Sequence, residues 1–141
     1  MKYVLDSCVA LKWVLPEPQS AIAIRLRNSY HLALDELLAP DVFSVEVLHA
    51  LTRAERQKRL QPGDGWPLWQ SILGDLPTLH GQASLLKRAY EISSSVRIGI
   101  YDCLYVALAE RERCDLITAD QKLVNTLRGS FSFVISLGSL P

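Results

Sequence analysis

Four acidic residues stand where their side chains could do chemistry together. Asp6 directly follows the apolar run YVL, and Asp120 follows the run LITA. Asp102 stands at the start of the segment YDCLYVALAE, which is apolar at every position from 103 to 109, and Glu46 lies in SVEVLHAL. Carboxylates can transfer protons or bind a hard cation. They do so jointly only if the fold brings these distant segments together.

Short β-prone runs alternate with longer segments of helical pattern along the chain. This alternation predicts an α/β fold with a mostly parallel sheet and helices on both faces. The strands are predicted at 3–5, 37–39, 78–80, 116–118 and 133–136, and the helices near 8–14, 19–31, 42–59, 65–75, 82–96, 102–113 and 120–127.

The predicted topology gathers the four acids at one edge of the sheet. Ligands of a parallel sheet bind outside the carboxyl ends of its strands, and each returning helix begins at that same edge. Each acid also has an ordinary structural explanation. Asp102 or Asp120 could be a helix N-cap, Asp6 could end its strand in a turn, and Glu46 could be a solvated flank residue. Asp41 is the better N-cap for the 42–59 helix.

A shared acidic site would need a proton or a cation. Two carboxylates about 4 Å apart repel each other by roughly 4 kcal/mol at an effective dielectric constant near 20. Such a cluster takes up protons or binds a positive ion. No cysteine or histidine converges on the predicted edge, so the ligands are all oxygen atoms. This donor set favours Mg²⁺ or Mn²⁺ over zinc.

Composition sets broad limits on the class of protein. The 141 residues are 49% hydrophobic and 21% charged, which excludes a disordered chain and predicts one domain over residues 1–141. Fifteen basic residues balance fifteen acidic ones, so any nucleic-acid surface must be local. Three cysteines without a CxxC motif indicate reduced thiols. We see no signal peptide and no apolar run of membrane-spanning length, and therefore expect a cytoplasmic protein.

Four motifs together resemble those of the PIN-domain nucleases, and within them the small VapC-type ribonuclease toxins of toxin–antitoxin pairs. The motifs are YVLDSCVALKWVL, SVEVLHAL, YDCLYVALAE and LITADQKL, and their order and spacing span the chain. The resemblance implies a three-layer α/β/α fold with a five-stranded sheet. It also implies a Mg²⁺- or Mn²⁺-dependent endoribonuclease, a small cognate antitoxin and a homodimer.

The resemblance also implies roles for particular residues. Asp6, Asp102 and Asp120 would hold the metal, and Glu46 would be a further ligand or would orient the attacking water. These four residues fall on the family's acidic positions.

Two hydroxyl residues and one thiol complete the comparison with the family. Ser7 and Thr118 match its small hydroxyl positions as supporting residues. Cys8 departs from it, because such proteins usually carry serine or asparagine there, and a thiol is a poorer hydrogen-bond partner.

Local positive charge for a polyanionic substrate is predicted at Lys12, Arg53 and Arg56. The alternative for each is a solvated basic face. An apolar cluster around Trp69 on the 65–75 helix is either core or a partner-binding patch.

Three other functions compete with the toxin hypothesis. One is a PIN-fold nuclease in RNA processing without an antitoxin. Another is a catalytically silent domain that only binds a partner, although such a module gains nothing from four mutually repelling acids. The third is an aspartyl phosphatase or receiver-like domain with Asp6 as nucleophile, but the sequence DSC lacks the second acid that such domains carry.

Overall fold

Five short strands form one parallel sheet in the computed structural model, which describes all residues from Met1 to Pro141. The strand order is β3-β2-β1-β4-β5, and every neighbouring pair runs parallel. The predicted fold class is therefore confirmed. The strands are β1 (Lys2–Leu5), β2 (Glu36–Pro40), β3 (Thr78–His80), β4 (Asp115–Thr118) and β5 (Val134–Ser136).

Seven α-helices connect and cover the strands. All the predicted helices are present with small shifts at their ends. Helix α3 ends at Arg56, earlier than predicted, because Lys58 takes a left-handed backbone conformation with φ of 62°. The helices are α1 (Ser7–Leu11), α2 (Ser20–His31), α3 (Phe43–Arg56), α4 (Gly65–Leu73), α5 (Leu86–Val96), α6 (Ile100–Glu112) and α7 (Gln121–Leu127), with 3₁₀ turns at Gln82–Leu85 and Leu137–Ser139.

The chain reverses its direction across the sheet between β1 and β4. From β1 it moves through β2 to β3 at one edge, and then returns through β4 to β5 at the other. Right-handed crossovers therefore place α1 to α4 on one face and α5 to α7 on the opposite face. The reversal leaves a crevice outside the carboxyl ends of β1 and β4.

Helix α6 is buried on all sides, which explains its unbroken apolar run. It contacts β1, β2 and β4 beneath it and packs against α5. Every residue from Cys103 to Ala109 is buried, whereas a helix with one wet face would show an apolar stripe. No single helix is long and apolar enough to cross a membrane. Only Gln82–Val96 together with Ile100–Glu112 meets that test, and the two are bent by 117°.

The three tryptophans divide between the core and the surface. Trp13 and Trp69 are buried, and the Trp13 Nε1–H donates a hydrogen bond of 3.0 Å to the carbonyl of Ala23. Trp66 is 57% exposed on α4, and the exposed Leu73 lies about two turns further along the same side of the helix. Core burial therefore accounts for Trp69, and the surface of α4 is left with an apolar patch made by Trp66 and Leu73.

Candidate active site

Asp6 lies at the centre of the acidic edge, directly after β1. Its backbone N–H donates a 3.0 Å hydrogen bond to the carbonyl of Ile117, which ties the end of β1 to β4. Its side chain is only 8% exposed. Burial raises the pKa of this carboxyl, hydrogen bonds from Thr118 and Cys8 partly offset that rise, and the charge of Asp120 adds to it. The carboxylate is thus held in place with little water around it.

Thr118 links Asp6 to Asp120 through a single hydroxyl group. The hydroxyl is fully buried and donates to Asp6 Oδ2 at 2.7 Å, while its oxygen accepts the backbone N–H of Asp120 at 3.1 Å. Ser7 lies next to the same carboxylate, with its Oγ 3.5 Å from Asp6 Oδ1. The Thr118 hydroxyl therefore joins the ends of β1 and β4 and also orients the buried carboxylate of Asp6.

Cys8 belongs to the same hydrogen-bond network. Its sulfur accepts the backbone N–H of Ala119 at 3.4 Å and lies 3.6 Å from Thr118 Oγ1. Either atom can be the donor in this contact, since the thiol also carries a proton. Burial and the charge of Asp6 raise the pKa of the Cys8 thiol, which keeps that proton in place. The departure from the family pattern at Cys8 thus leaves the local network complete. All three cysteines are free thiols.

Asp120 combines a capping role with a place at the edge of the site. It is the N-cap of α7, where its Oδ1 accepts the backbone N–H of Leu123 at 3.1 Å. The cap explanation for Asp120 is therefore correct. The cap occupies one of the two carboxylate oxygens. The negative charge of the exposed side chain still raises the pKa values of Asp6 and Asp102.

Asp102 does not cap α6. The N-cap is Gly99 and the helix begins at Ile100, so Asp102 lies in the first helical turn and makes no capping hydrogen bond. The N-cap alternative for Asp102 is wrong for this reason. The half-buried carboxyl has its pKa raised to about 6 by burial and by the charges of Asp6 and Asp120.

The N-cap prediction for Asp41 is also wrong. Val42 is at the N-cap position of α3 with a helical backbone, and no side chain caps this helix. Asp41 instead uses its backbone N–H, which donates a 2.8 Å hydrogen bond to the carbonyl of His80, the last residue of β3.

Glu46 is oriented by a residue that the sequence did not single out. The buried hydroxyl of Tyr105 donates a hydrogen bond of 2.6 Å to Glu46 Oε1. Burial raises the pKa of Glu46, the Tyr105 hydrogen bond lowers it, and the charges of Asp6 and Asp102 raise it again. In the sequence, Tyr105 is one of the residues of the apolar run from 103 to 109. The available signal was its position three residues after Asp102, on the same side of α6.

The four acids therefore share one electrostatic field without forming a closed cage. No three carboxylate, imidazole or thiol side chains lie close enough together to hold one metal ion among them. Mg²⁺ keeps several of its waters and needs only one or two carboxylates, so an open set of oxygen ligands suits it. The mutual repulsion that raises the pKa of Asp102 is also relieved by a cation. The donor chemistry fits Mg²⁺ or Mn²⁺.

The predicted basic residues differ in how accessible they are to a polyanionic substrate. Lys12 is largely buried, with its Nζ donating to the carbonyl of Pro18 at 2.9 Å and lying 3.7 Å from Glu17 Oε1. Arg53 and Arg56 are exposed in the last turn of α3. Arg53 follows Glu46 by seven residues, about 10 Å along the same side of the helix. A polyanion crossing the acidic edge would therefore meet the arginines more readily than Lys12.

Comparison with known proteins finds similarity over most of the chain. The family model for the PIN domain matches residues 3–127. VapC ribonuclease Mb0985 of Mycobacterium bovis is 31% identical over 123 residues, which cover 87% of this chain and 89% of that protein. This similarity confirms the resemblance drawn from the four motifs.

Two solved structures share the fold at 15% sequence identity. The crystal structure of PAE2754 from Pyrobaculum aerophilum superposes with a TM-score of 0.72, covering 99% of this chain and 91% of that one. The structure of VapBC2 from Rickettsia felis bound to a DNA fragment from their promoter gives 0.65, with 96% and 97% covered. At this level of identity the two structures support the fold alone.

Proposed function

The chain belongs to the PIN-domain family, and from this premise we propose that it is a metal-dependent endoribonuclease acting as the toxin of a toxin–antitoxin pair. The observation that carries the proposal is the acidic crevice between β1 and β4. Buried Asp6 is fixed there by Thr118, and burial together with the charges of Asp6 and Asp120 raises the pKa of Asp102. The similarity to a VapC ribonuclease over most of both chains supports RNA as the substrate.

Asp6, Asp102 and Asp120 are the proposed metal-binding residues, with Mg²⁺ as the ion and Mn²⁺ as a substitute; one or two of them would contact the ion directly and the remainder would hold it through its bound waters. A bound divalent ion would supply an activated water and would neutralise charge on the phosphodiester. The three acids are held in different ways. Asp6 is fixed by Thr118, Asp102 projects from the buried helix α6, and Asp120 keeps one oxygen on the N-terminus of α7.

Glu46 is proposed to orient the attacking water and to accept its proton. Tyr105 holds Glu46 Oε1 and leaves Oε2 for the water. Burial and the charges of Asp6 and Asp102 raise the pKa of Glu46 above its ordinary value, which makes the carboxylate a stronger base. Water attacks the phosphorus atom, the bond from phosphorus to the leaving oxygen breaks, and that oxygen takes up a proton. This route needs no covalent intermediate on the protein, so Ser7 is proposed to support Asp6 and not to attack the substrate.

Arg53 and Arg56 are the proposed contacts for the RNA backbone, because both are exposed on the helix that carries Glu46. Lys12 remains a weaker prediction, since reaching a phosphate would require it to leave Glu17.

The proposed partners are a small cognate antitoxin and a second copy of the chain, in the cytoplasm where RNA is available. The exposed apolar patch of Trp66 and Leu73 on α4 favours a protein contact. The solved VapBC2 structure shares this fold.

The direct test is cleavage of labelled single-stranded RNA by the purified chain. We expect Mg²⁺ or Mn²⁺ to support cleavage and EDTA to abolish it. Replacing Asp6 or Asp102 by asparagine should lower the rate by about a hundredfold or more, because a carboxylate that holds the metal ion is lost, and the ion is what neutralises charge on the phosphodiester. Asp41→Asn is the matched control, since Asp41 is an exposed acid at the same end of the sheet. Cleavage that persists in EDTA, or that is equal in Asp102→Asn, would contradict the proposal.

A further inference from the structure

A cleft of about 450 Å³ opens directly beside the acidic crevice. Its volume lies in the range of sites that bind small organic groups. Helices α1, α3 and α6 and the residue before α3 contribute to its walls. The lining residues are Ser7, Val42, Val45, Glu46, His49 and Tyr101.

The cleft and the acidic site share a wall. Glu46 carries the carboxylate proposed to orient water, and Ser7 adjoins Asp6. Tyr101 directly precedes Asp102 and is 58% exposed, and Val45 directly precedes Glu46 and is 67% exposed. Neither of these two apolar side chains packs in the hydrophobic core. Two exposed apolar groups next to a cluster of carboxylates indicate a surface that a ligand covers.

We propose that this cleft is a nucleobase subsite, in which a base of single-stranded RNA next to the scissile phosphodiester stacks on the ring of Tyr101. The inference rests on the proposed function, because a phosphodiester held at the acids places its neighbouring base beside them. Unpaired RNA bases characteristically stack on aromatic side chains. The carboxylate of Glu46 in the wall disfavours a phosphate in the cleft and tolerates a neutral base.

The lining also indicates what kind of selectivity the subsite has. Stacking uses the π-face that every base presents, so Tyr101 and Val45 provide affinity for any base. The wall has three polar side chains: Glu46 accepts from Tyr105, Ser7 donates to Asp6, and His49 makes no side-chain hydrogen bond within the protein. Any preference among bases is therefore assigned to His49.

The test compares a fluorescein-labelled single-stranded RNA with an abasic ribose-phosphate oligomer of equal length. Binding is measured by fluorescence anisotropy with Ca²⁺ in place of Mg²⁺, so that hydrolysis does not remove the probe. We expect Tyr101→Ala to weaken RNA binding by about tenfold and to leave binding of the abasic oligomer unchanged. Tyr101→Phe keeps the ring and should bind RNA like the wild type.

Tyr90→Ala is the matched control, because Tyr90 is 68% exposed on α5 and does not line the cleft. This control should bind RNA like the wild type. Unchanged melting temperatures would show that both alanine variants are folded, as expected for exposed side chains.

The outcomes separate this inference from the proposed function. Tyr101-dependent RNA binding without any Mg²⁺-dependent cleavage would support the subsite and refute the nuclease. Cleavage with an RNA affinity that does not depend on Tyr101 would support the nuclease and overturn the subsite. The same conclusion would follow if Tyr101→Ala weakened binding to a protein partner but not to RNA. Equal loss of RNA and abasic binding, or no RNA binding at all, would also overturn it.

Discussion

At the scale of single residues, the Thr118 hydroxyl connects the parts of the acidic site. Its proton goes to Asp6, its oxygen accepts the backbone N–H of Asp120, and it lies 3.6 Å from the sulfur of Cys8. One buried hydroxyl therefore sets the relative positions of two acids from neighbouring strands. Ser7 and Thr118 were predicted as supporting residues. The sequence did not indicate that Cys8 would join this network, in which its sulfur accepts the backbone N–H of Ala119.

The hydroxyl of Tyr105 is predicted to tune the pKa of Glu46. Tyr105→Phe removes the hydroxyl that donates to Glu46 and keeps the buried ring. Because that hydrogen bond lowers the pKa of Glu46, its loss should raise this pKa further. We expect the acidic limb of the pH–rate profile for RNA cleavage to move to higher pH, with about 1 kcal/mol lost in unfolding free energy.

Tyr90→Phe is the control for Tyr105→Phe, because it removes a hydroxyl from a largely exposed ring on α5. It should leave the pH–rate profile unchanged. An unshifted acidic limb in Tyr105→Phe would show that Tyr105 does not tune Glu46.

At the scale of elements, helix α6 connects the hydrophobic core to the site. Its length and burial could be foreseen from the unbroken apolar run. Its first residue could not, because Gly99, Ile100 and Tyr101 carry no strong start signal, and Asp102 is itself a favourable capping residue. The three-dimensional packing places the helix start two residues before Asp102, which frees the carboxylate from capping.

Asp102 is predicted to make the unfolding free energy of the metal-free protein depend on pH. Its pKa is raised from 3.8 to about 6 on folding. A raised acid pKa means that the folded state binds the proton more tightly than the unfolded chain does. The stabilisation is therefore complete below pH 4 and is lost as the pH rises through about 6. Asp6 and Glu46 also have raised pKa values, so they act in the same direction.

Melting curves in EDTA at pH 5 and pH 7.5 test this linkage. Because Asp102 is partly solvated, we expect its contribution to be about 1 kcal/mol, or on the order of 3 °C in melting temperature. Asp102→Asn should be less sensitive to pH than the wild type by this amount. Equal pH dependence in the two proteins would show that Asp102 has no raised pKa.

At the scale of the whole molecule, the site follows from the order of the strands. The order β3-β2-β1-β4-β5 reverses direction between β1 and β4, and Asp6 and Asp120 follow these two strands. The alternation of strands and helices in the sequence was sufficient to predict this edge. The register between strands and the contact of α6 with α3 through Tyr105 depend on side-chain packing, which no local pattern encodes.

The positions of the charged residues are more informative than the net charge of the molecule. Zero net charge gave no indication of a polyanionic substrate. The structure distinguishes Lys12, which is paired with Glu17, from Arg53 and Arg56, which are exposed beyond Glu46. Sequence spacing along α3 placed the two arginines on the side of Glu46. The pairing of Lys12 depends on the loop that brings Glu17 back to it.

The most direct measurement is the melting temperature of the wild type and of Asp102→Asn as Mn²⁺ or Mg²⁺ is added. It requires no knowledge of the RNA target. An ion that binds only the folded chain stabilises it by about 2.7 kcal/mol at a hundred times its dissociation constant. We expect a saturable rise for the wild type and a weaker rise for Asp102→Asn. An unchanged melting temperature in the wild type at tens of millimolar metal, or an equal rise in the two proteins, would contradict a cation site shared by these acids.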